Sequence, residues 1–220
     1  MGRIRRSTAA LFVRLMDELG YQRFAVVGHD RGALVAFRLG LDFPAAISQI
    51  AVLDVIPQGD LWPALSGVGT VFAAHLPFLA QPPDLPERMI AADPDLFFGH
   101  FLDSWQSPPG QLTADVRAAY LAACRKPETI AAICADYRAG AFIDPGHDQA
   151  DAGAGRRLRM PVLAGWQDPG EQVLPFGPAK IWASWATNLS TVTYQCGHFI
   201  AEQQPVALCA DLCRLLEKDG

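Results

Sequence analysis

The segment Gly28-His29-Asp30-Arg31-Gly32 sets a carboxylate between two glycines, where a short apolar run (residues 24–27) gives way to a helix-compatible pattern (residues 33–43) closed by Pro44. Small residues at a strand-to-helix turn let the chain bend sharply and expose the middle side chain. Asp30 therefore reads as a nucleophile on an elbow, with Asp where Ser is commoner. A carboxylate suits displacement at a saturated carbon, because the ester it forms can be cleaved by water at the Asp30 carbonyl, whereas a serine would be left as a stable ether. Taken alone, the pattern also fits a Gly-flanked aspartate that merely caps a helix, so the surrounding sequence has to decide.

That surrounding sequence holds an acid and a histidine in a suggestive order. Cys196-Gly197-His198-Phe199 follows the last strand-like run (residues 189–194) and precedes the last helical one (residues 205–217). Asp54 lies near the end of the apolar run that follows the elbow (residues 47–56). Asp168, in Gly165-Trp166-Gln167-Asp168, stands at a second place from which an acid can face the histidine, so the residues alone leave both acids open. Nucleophile, acid, histidine is the chain order of an α/β-hydrolase. In that arrangement His198 is the base, the acid holds its useful tautomer, and backbone N–H groups near Arg31 steady a developing oxyanion.

Positioning these residues requires a sheet. The opening helix spans residues 7–19, with Ala10, Leu11, Leu15 and Leu19 at helical spacing and Gly20 as the stop. Strands at residues 24–27, 47–56, 160–164 and 189–194 alternate with helices at 33–43, 178–186 and 205–217, which implies a parallel sheet. From residue 57 to 158 the chain is Pro-rich and poor in strand signals. Helix-compatible pieces at 84–91, 113–124 and 127–141, with turns at 107–110 and 144–146, read there as an inserted helical cap. The division is therefore a core of residues 1–56 and 159–220 with a cap of residues 57–158.

Composition narrows the function classes. The 220 residues carry 18 Lys and Arg against 23 Asp and Glu, and a net charge of -5 disfavours nucleic acid and anionic membrane and points to a small-molecule partner. No apolar stretch reaches the roughly 18 residues of a membrane span. The apolar run after Arg6 is cut short by Arg14, so no export signal is read and a cytoplasmic location is expected. Five cysteines without a CxxC pair, most among apolar neighbours, read as buried thiols of a reducing compartment, with neither metal nor cofactor implied.

Several motifs together resemble the haloacetate dehalogenase family, which is related to haloalkane dehalogenases and epoxide hydrolases. They are Gly-His-Asp-Arg-Gly at 28–32, Leu-Asp-Val-Ile-Pro at 53–57, the region of His75, Leu-Pro-Glu-Arg at 85–88, Ala-Asp-Pro-Asp at 92–95, Cys-Ala-Asp-Tyr-Arg-Ala at 134–139, His-Asp-Gln-Ala-Asp at 147–151 and Cys-Gly-His-Phe at 196–199. The resemblance runs from about Tyr21 to the C-terminus. It implies an α/β-hydrolase fold with a cap, Asp30 as nucleophile, Asp54 rather than Asp168 as the partner of His198, and His75 and Tyr137 as halide-binding groups. Arg31, whose charge opposes the dipole of the helix it opens, would pair with the carboxylate of a short haloacid through its planar fork.

Two alternatives stay beside this reading. An epoxide hydrolase would use the same Asp and His, with Tyr137 and Tyr120 as candidate proton donors. A catalytically inactive, truncated fragment would keep the sequence without the chemistry. Leu34 stands where the family has a second arginine, and Leu76 where it has a tryptophan beside the cap histidine. The family's front strands and their His-Gly loop have no counterpart, so the expectation is an incomplete sheet whose N-terminal strands are absent. Its strand at residues 24–27 would form an exposed edge, and the chain is expected to self-associate as a homo-oligomer.

Overall fold

The computed structural model describes residues 5–65, 67, 69–168 and 177–217. Helix α1 (Arg5–Glu18) leads into β1 (Phe24–His29), α2 (Arg31–Asp42) and β2 (Ile47–Leu53). Eight helices follow without a strand among the described residues: α3 (Gln58–Ala64), α4 (Gly69–Phe72), α5 (His75–Leu79), α6 (Leu85–Ala92), α7 (Pro94–Ser104), α8 (Ala114–Cys124), α9 (Pro127–Phe142) and α10 (Asp144–Gly153). The chain closes with β3 (Leu158–Gln167), α11 (Pro178–Trp185), β4 (Ala186–Tyr194), α12 (Ile200–Gln203) and α13 (Pro205–Leu216).

The four strands form one parallel sheet in the order β1-β2-β3-β4. The register pairs Gly28 with Val52 and His29 with Leu53, then Leu53 with Gly165, and Gln167 with Tyr194. It follows that Asp30, Asp54, Gln167 and the loop leading to His198 all leave the sheet at the carboxyl ends of their strands, where open α/β sheets bind ligands. Strands β2 and β3 are near-continuous runs of apolar residues, as central strands covered on both faces must be. Phe37 of α2 meets Trp182 and Trp185 of α11 edge-on. The Trp182 indole N–H donates to the Val55 carbonyl at 3.0 Å, so its burial leaves no polar atom unpaired.

Three expectations change. First, α1 is present but turned: Arg5 and Ala9 are buried, whereas Leu11, Phe12, Leu15 and Leu19 are 46–60% exposed. Second, the turn expected at residues 144–146 is instead the first turn of α10. Pro145 at the helix start has its φ already set, and the buried positions Asp144, Asp148 and Asp151 recur at helical spacing. They face cations: Arg5 bonds Asp144, and Arg38 of α2 bonds Asp151 and reaches Asp148 at 3.1 Å. An apolar periodicity test does not register a helix whose buried stripe is carboxylate. Third, Cys134 and Cys196 are buried, but Cys209 and Cys213 are exposed, so the thiols are not uniformly core residues.

Strand β1 lies on the sheet edge, with Ala25 exposed and Val27 50% exposed.

Candidate active site

Asp30 sits between β1 and α2 with φ 49° and ψ −121°, a conformation that a non-glycine residue adopts at a cost of about 1–3 kcal/mol. Gly28 makes the bend possible. A Cβ there would lie 2.5 Å from the Gly32 carbonyl oxygen and 2.6 Å from the Ala33 Cα, both backbone atoms that cannot yield. At Gly32 a Cβ would meet nothing within 4 Å, so of the two elbow glycines the first carries the steric requirement. Helix α2 starts at Arg31, and its first-turn N–H groups are taken up by the Asp30 backbone carbonyl, from Ala33 at 3.0 Å and Leu34 at 3.4 Å, while the Asp30 carboxyl makes no capping bond and is left for other partners. The Asp30 side chain is 39% exposed and thus open to a ligand.

Asp54 follows β2, also at positive φ (53°). Its Oδ2 accepts from His198 Nδ1 at 2.6 Å. Gln167, at the end of β3, holds the same carboxylate by its backbone N–H at 3.1 Å and its side-chain amide at 2.9 Å. Asp168 instead bonds the Gln195 amide. The structure therefore brings Asp54, not Asp168, to the histidine. The His198 backbone is fixed on both sides, its N–H donating to the Trp105 carbonyl at 2.8 Å and its carbonyl lying 2.7 Å from His29 Nε2. Its free Nε2 lies 4.0 Å from Asp30 Oδ2, too far for a direct hydrogen bond. Burial pushes the imidazole pKa down, but the Asp54 hydrogen bond and the charges of Asp30 and Asp54 outweigh it, and the net shift is upward.

Of the remaining expected residues, His75 and Tyr137 come from the helical insert and Arg31 from the first turn of α2. The Arg31 guanidinium lies 3.7 Å above the Tyr137 ring centroid. His75, at the start of α5, packs 6.0 Å from Tyr137, 5.1 Å from Trp105 and 5.4 Å from Phe101 by ring centroids. Trp105 in turn packs 5.0 Å from His198. Burial pushes the His75 pKa down to about 4, so at neutral pH it is an uncharged donor and acceptor. Tyr120 is placed elsewhere, hydrogen-bonded to Glu202. Among the described residues no group of three His, Cys, Asp or Glu is arranged to hold a metal ion.

Four contributors were not singled out from the sequence. His29 and Gln167 adjoin strand ends already marked by Asp30 and Asp168, so proximity to those ends was an available signal. Trp105 ends α7, a helix the apolar pattern did not reveal. Asp136 is the acid beside Tyr137, and only the fold shows it meeting Arg31, whose Nε donates to its carboxylate.

A parallel sheet that delivers an elbow residue, an acid and a histidine from the carboxyl ends of its first, second and fourth strands defines a class. The chain belongs to the family described as alpha/beta hydrolase fold, whose pattern residues 5–205 match. It is 34% identical to a fluoroacetate dehalogenase of Burkholderia sp over 197 residues, which is 87% of this chain and 62% of that protein. It is 30% identical to a soluble epoxide hydrolase of Corynebacterium sp. (strain C12) over 209 residues, 91% of this chain and 69% of that one. A solved structure from Pseudomonas aeruginosa, provisionally assigned as an epoxide hydrolase, superposes with a TM-score of 0.91 at 38% identity, covering 97% of this chain and 72% of that chain. The Cfl2 structure from Burkholderia cenocepacia gives 0.87 at 28%, covering 97% and 72%. The chain thus spans less than two thirds of the dehalogenase it matches.

Proposed function

We propose that this chain is a hydrolase that displaces halide from a short haloacid through an ester on Asp30. An Asp30 oxygen attacks the halogen-bearing carbon, the carbon–halogen bond breaks, and halide leaves toward His75 and Tyr137. Water, losing its proton to His198, then adds to the Asp30 carbonyl, and the acyl–oxygen bond breaks to release the hydroxy acid and restore the carboxylate. The observation that carries this reading is the strained Asp30 facing an Asp54-held imidazole across a 4.0 Å gap, a spacing that suits action through one water. Asp54 keeps His198 in the tautomer with Nε2 free and stabilises the imidazolium. The insert of residues 57–158 serves as a cap over Asp30, and a cytoplasmic location fits a chain in which no described helix is long and apolar enough to cross a membrane.

The epoxide reading keeps one support: Tyr137 lies beside Arg31 and can offer a proton to an opening epoxide, whereas Tyr120 is engaged with Glu202. Halide release from fluoro-, chloro- and bromoacetate tests the main reading. Leu34 and Leu76 offer a leaving fluoride no N–H, so chloride and bromide should be released readily and fluoride slowly or not at all. Fluoride release as fast as bromide release would contradict this halide preference, while leaving the displacement itself supported. An inert chain would release none of the three.

The pH profile follows from His198. The base must be uncharged, so ester hydrolysis should fall with acidification around the imidazole's midpoint, which the Asp54 hydrogen bond and charge, still present in the ester intermediate, act to raise. Asp54→Asn should move that midpoint down and slow the step by about 10²- to 10⁴-fold. A midpoint unmoved by Asp54→Asn in a steady-state pH series would count against the pairing.

The exposed β1 edge and α1 face support self-association, because a second copy would satisfy edge N–H and C=O groups and remove apolar surface at about 25 cal/mol per Å². Light scattering over a dilution series should show a mass above the monomer that falls on dilution. A monomer with a cooperative melt at every concentration would remove the homo-oligomer from the proposal.

A further inference from the structure

Arg31 directly follows the nucleophile in the chain, yet its carboxylate-binding fork is already occupied. Nε donates to the Asp136 carboxylate and Nη2 to the Asp136 carbonyl at 2.8 Å, so a single residue of α9 fills the edge that a substrate carboxylate would take. The face of the guanidinium lies on Tyr137. Beyond Nη2 stands Gly140, one turn along α9, where a Cβ would come within 3.1 Å of that nitrogen. The Tyr137 side chain is also hydrogen-bonded to this guanidinium.

Asp136 is itself held from a second side. Arg5 Nη2 approaches its carboxylate at 3.7 Å while Arg5 Nη1 bonds Asp144, so the acid is anchored between two cations. Leu34, one turn into α2 and buried, adds no charge. The charges near Asp30 are then Asp30 and Asp54 on one side, with His198 between them, and an Arg31–Asp136 pair that cancels.

We propose that Asp136 is a specificity-determining residue, an internal counter-ion that neutralises Arg31 in place of a substrate carboxylate and so admits small uncharged electrophiles, such as haloacetamides and short haloalkanes, alongside haloacids. This rests on the reading that Asp30 is alkylated. An anionic substrate gains little from a cation whose charge is already matched, and it still meets the charge of Asp30. An uncharged one avoids that repulsion and uses the same displacement: Asp30 oxygen to carbon, halide out.

The test compares kcat/KM for chloroacetate and for its near-isostere chloroacetamide in the native chain and in Asp136→Asn. Asparagine keeps an acceptor for Arg31 but no charge, so the acid-to-amide ratio should rise by about tenfold or more, mainly through a lower KM for the acid. Taking the change in the ratio cancels the intrinsic reactivity difference. A ratio that stays within about twofold overturns the proposal. Competitive inhibition of the native chain by acetate and by acetamide gives a second measurement that needs no variant. Constants within about tenfold of each other are expected, and acetate binding more than about a hundredfold tighter overturns the proposal. Mass spectrometry of His198→Ala with both substrates separates the two levels. If neither alkylates Asp30, the underlying reading fails and takes this one with it; if both do and the ratio is unmoved, Asp136 alone loses its role.

Discussion

Replacing His198 by alanine is expected to leave a protein that is alkylated once on Asp30 and then stops. Attack on the halogen-bearing carbon needs a carboxylate within reach of the substrate but no base, and the Asp30 side chain, 39% exposed on the elbow that opens α2, is placed for it without the imidazole. Hydrolysis of the resulting ester needs a base for water, and His198, fixed by Asp54 at 2.6 Å, is the group placed to supply it. Turnover should fall by about 10²- to 10⁴-fold while the first alkylation survives. Mass spectrometry after incubation with chloroacetate should find one carboxymethyl group, mapped to Asp30 by proteolysis, and none in the Asp30→Asn variant. An adduct on another residue, or no adduct with any haloacid tried, would sink the nucleophile assignment.

The second large effect is expected at Arg38, far from the chemistry. This side chain is buried on α2 and reaches Asp148 and Asp151 of α10, with Asp42 at 3.5 Å on its own helix. Asp148 also accepts the Gly59 N–H at 3.0 Å, so the cluster ties α2, α3 and α10 together. Buried pairs of this kind gain little over apolar packing, but removing one partner strands the other charges away from water. Arg38→Met should therefore destabilise the fold by about 3–5 kcal/mol, read as a lower urea midpoint at unchanged slope. The exposed pair Arg117–Asp103 is the control. Its charges stay hydrated when unpaired, and Arg117→Met should leave the midpoint almost where it was. Equal shifts for the two variants would show that burial does not govern the network.

The difference between these two regions is also the difference between what could be read from residues and what could not. The sequence by itself determined the alternation of strands and helices, the elbow at Asp30 and the histidine after the last strand. Each depends on local rules: an apolar run favours a strand, Gly28 alone tolerates the backbone contact behind the bend, and Pro44 ends α2. The strands came out longer or shorter by a few residues, as with β2 ending at Leu53 rather than near residue 56, because pairing registers and not propensity set their ends.

Other outcomes belonged to the tertiary structure. Asp54 and Asp168 are the same kind of residue at the ends of neighbouring strands, and only the packing of the loop after β4 gives His198 to one and Gln195 to the other. The inward face of α1 is decided by the buried carboxylates of α10 that receive Arg5, which is why its leucines point outward. α10 escaped notice since its buried stripe is charged, and a carboxylate can be buried only where a cation from a distant segment meets it. Arg31 likewise looked free in the sequence and is matched by Asp136 in the fold. Periodicity records which residues avoid water, whereas long-range charge pairing depends on distances between segments over a hundred residues apart, and those exist only after the chain has folded.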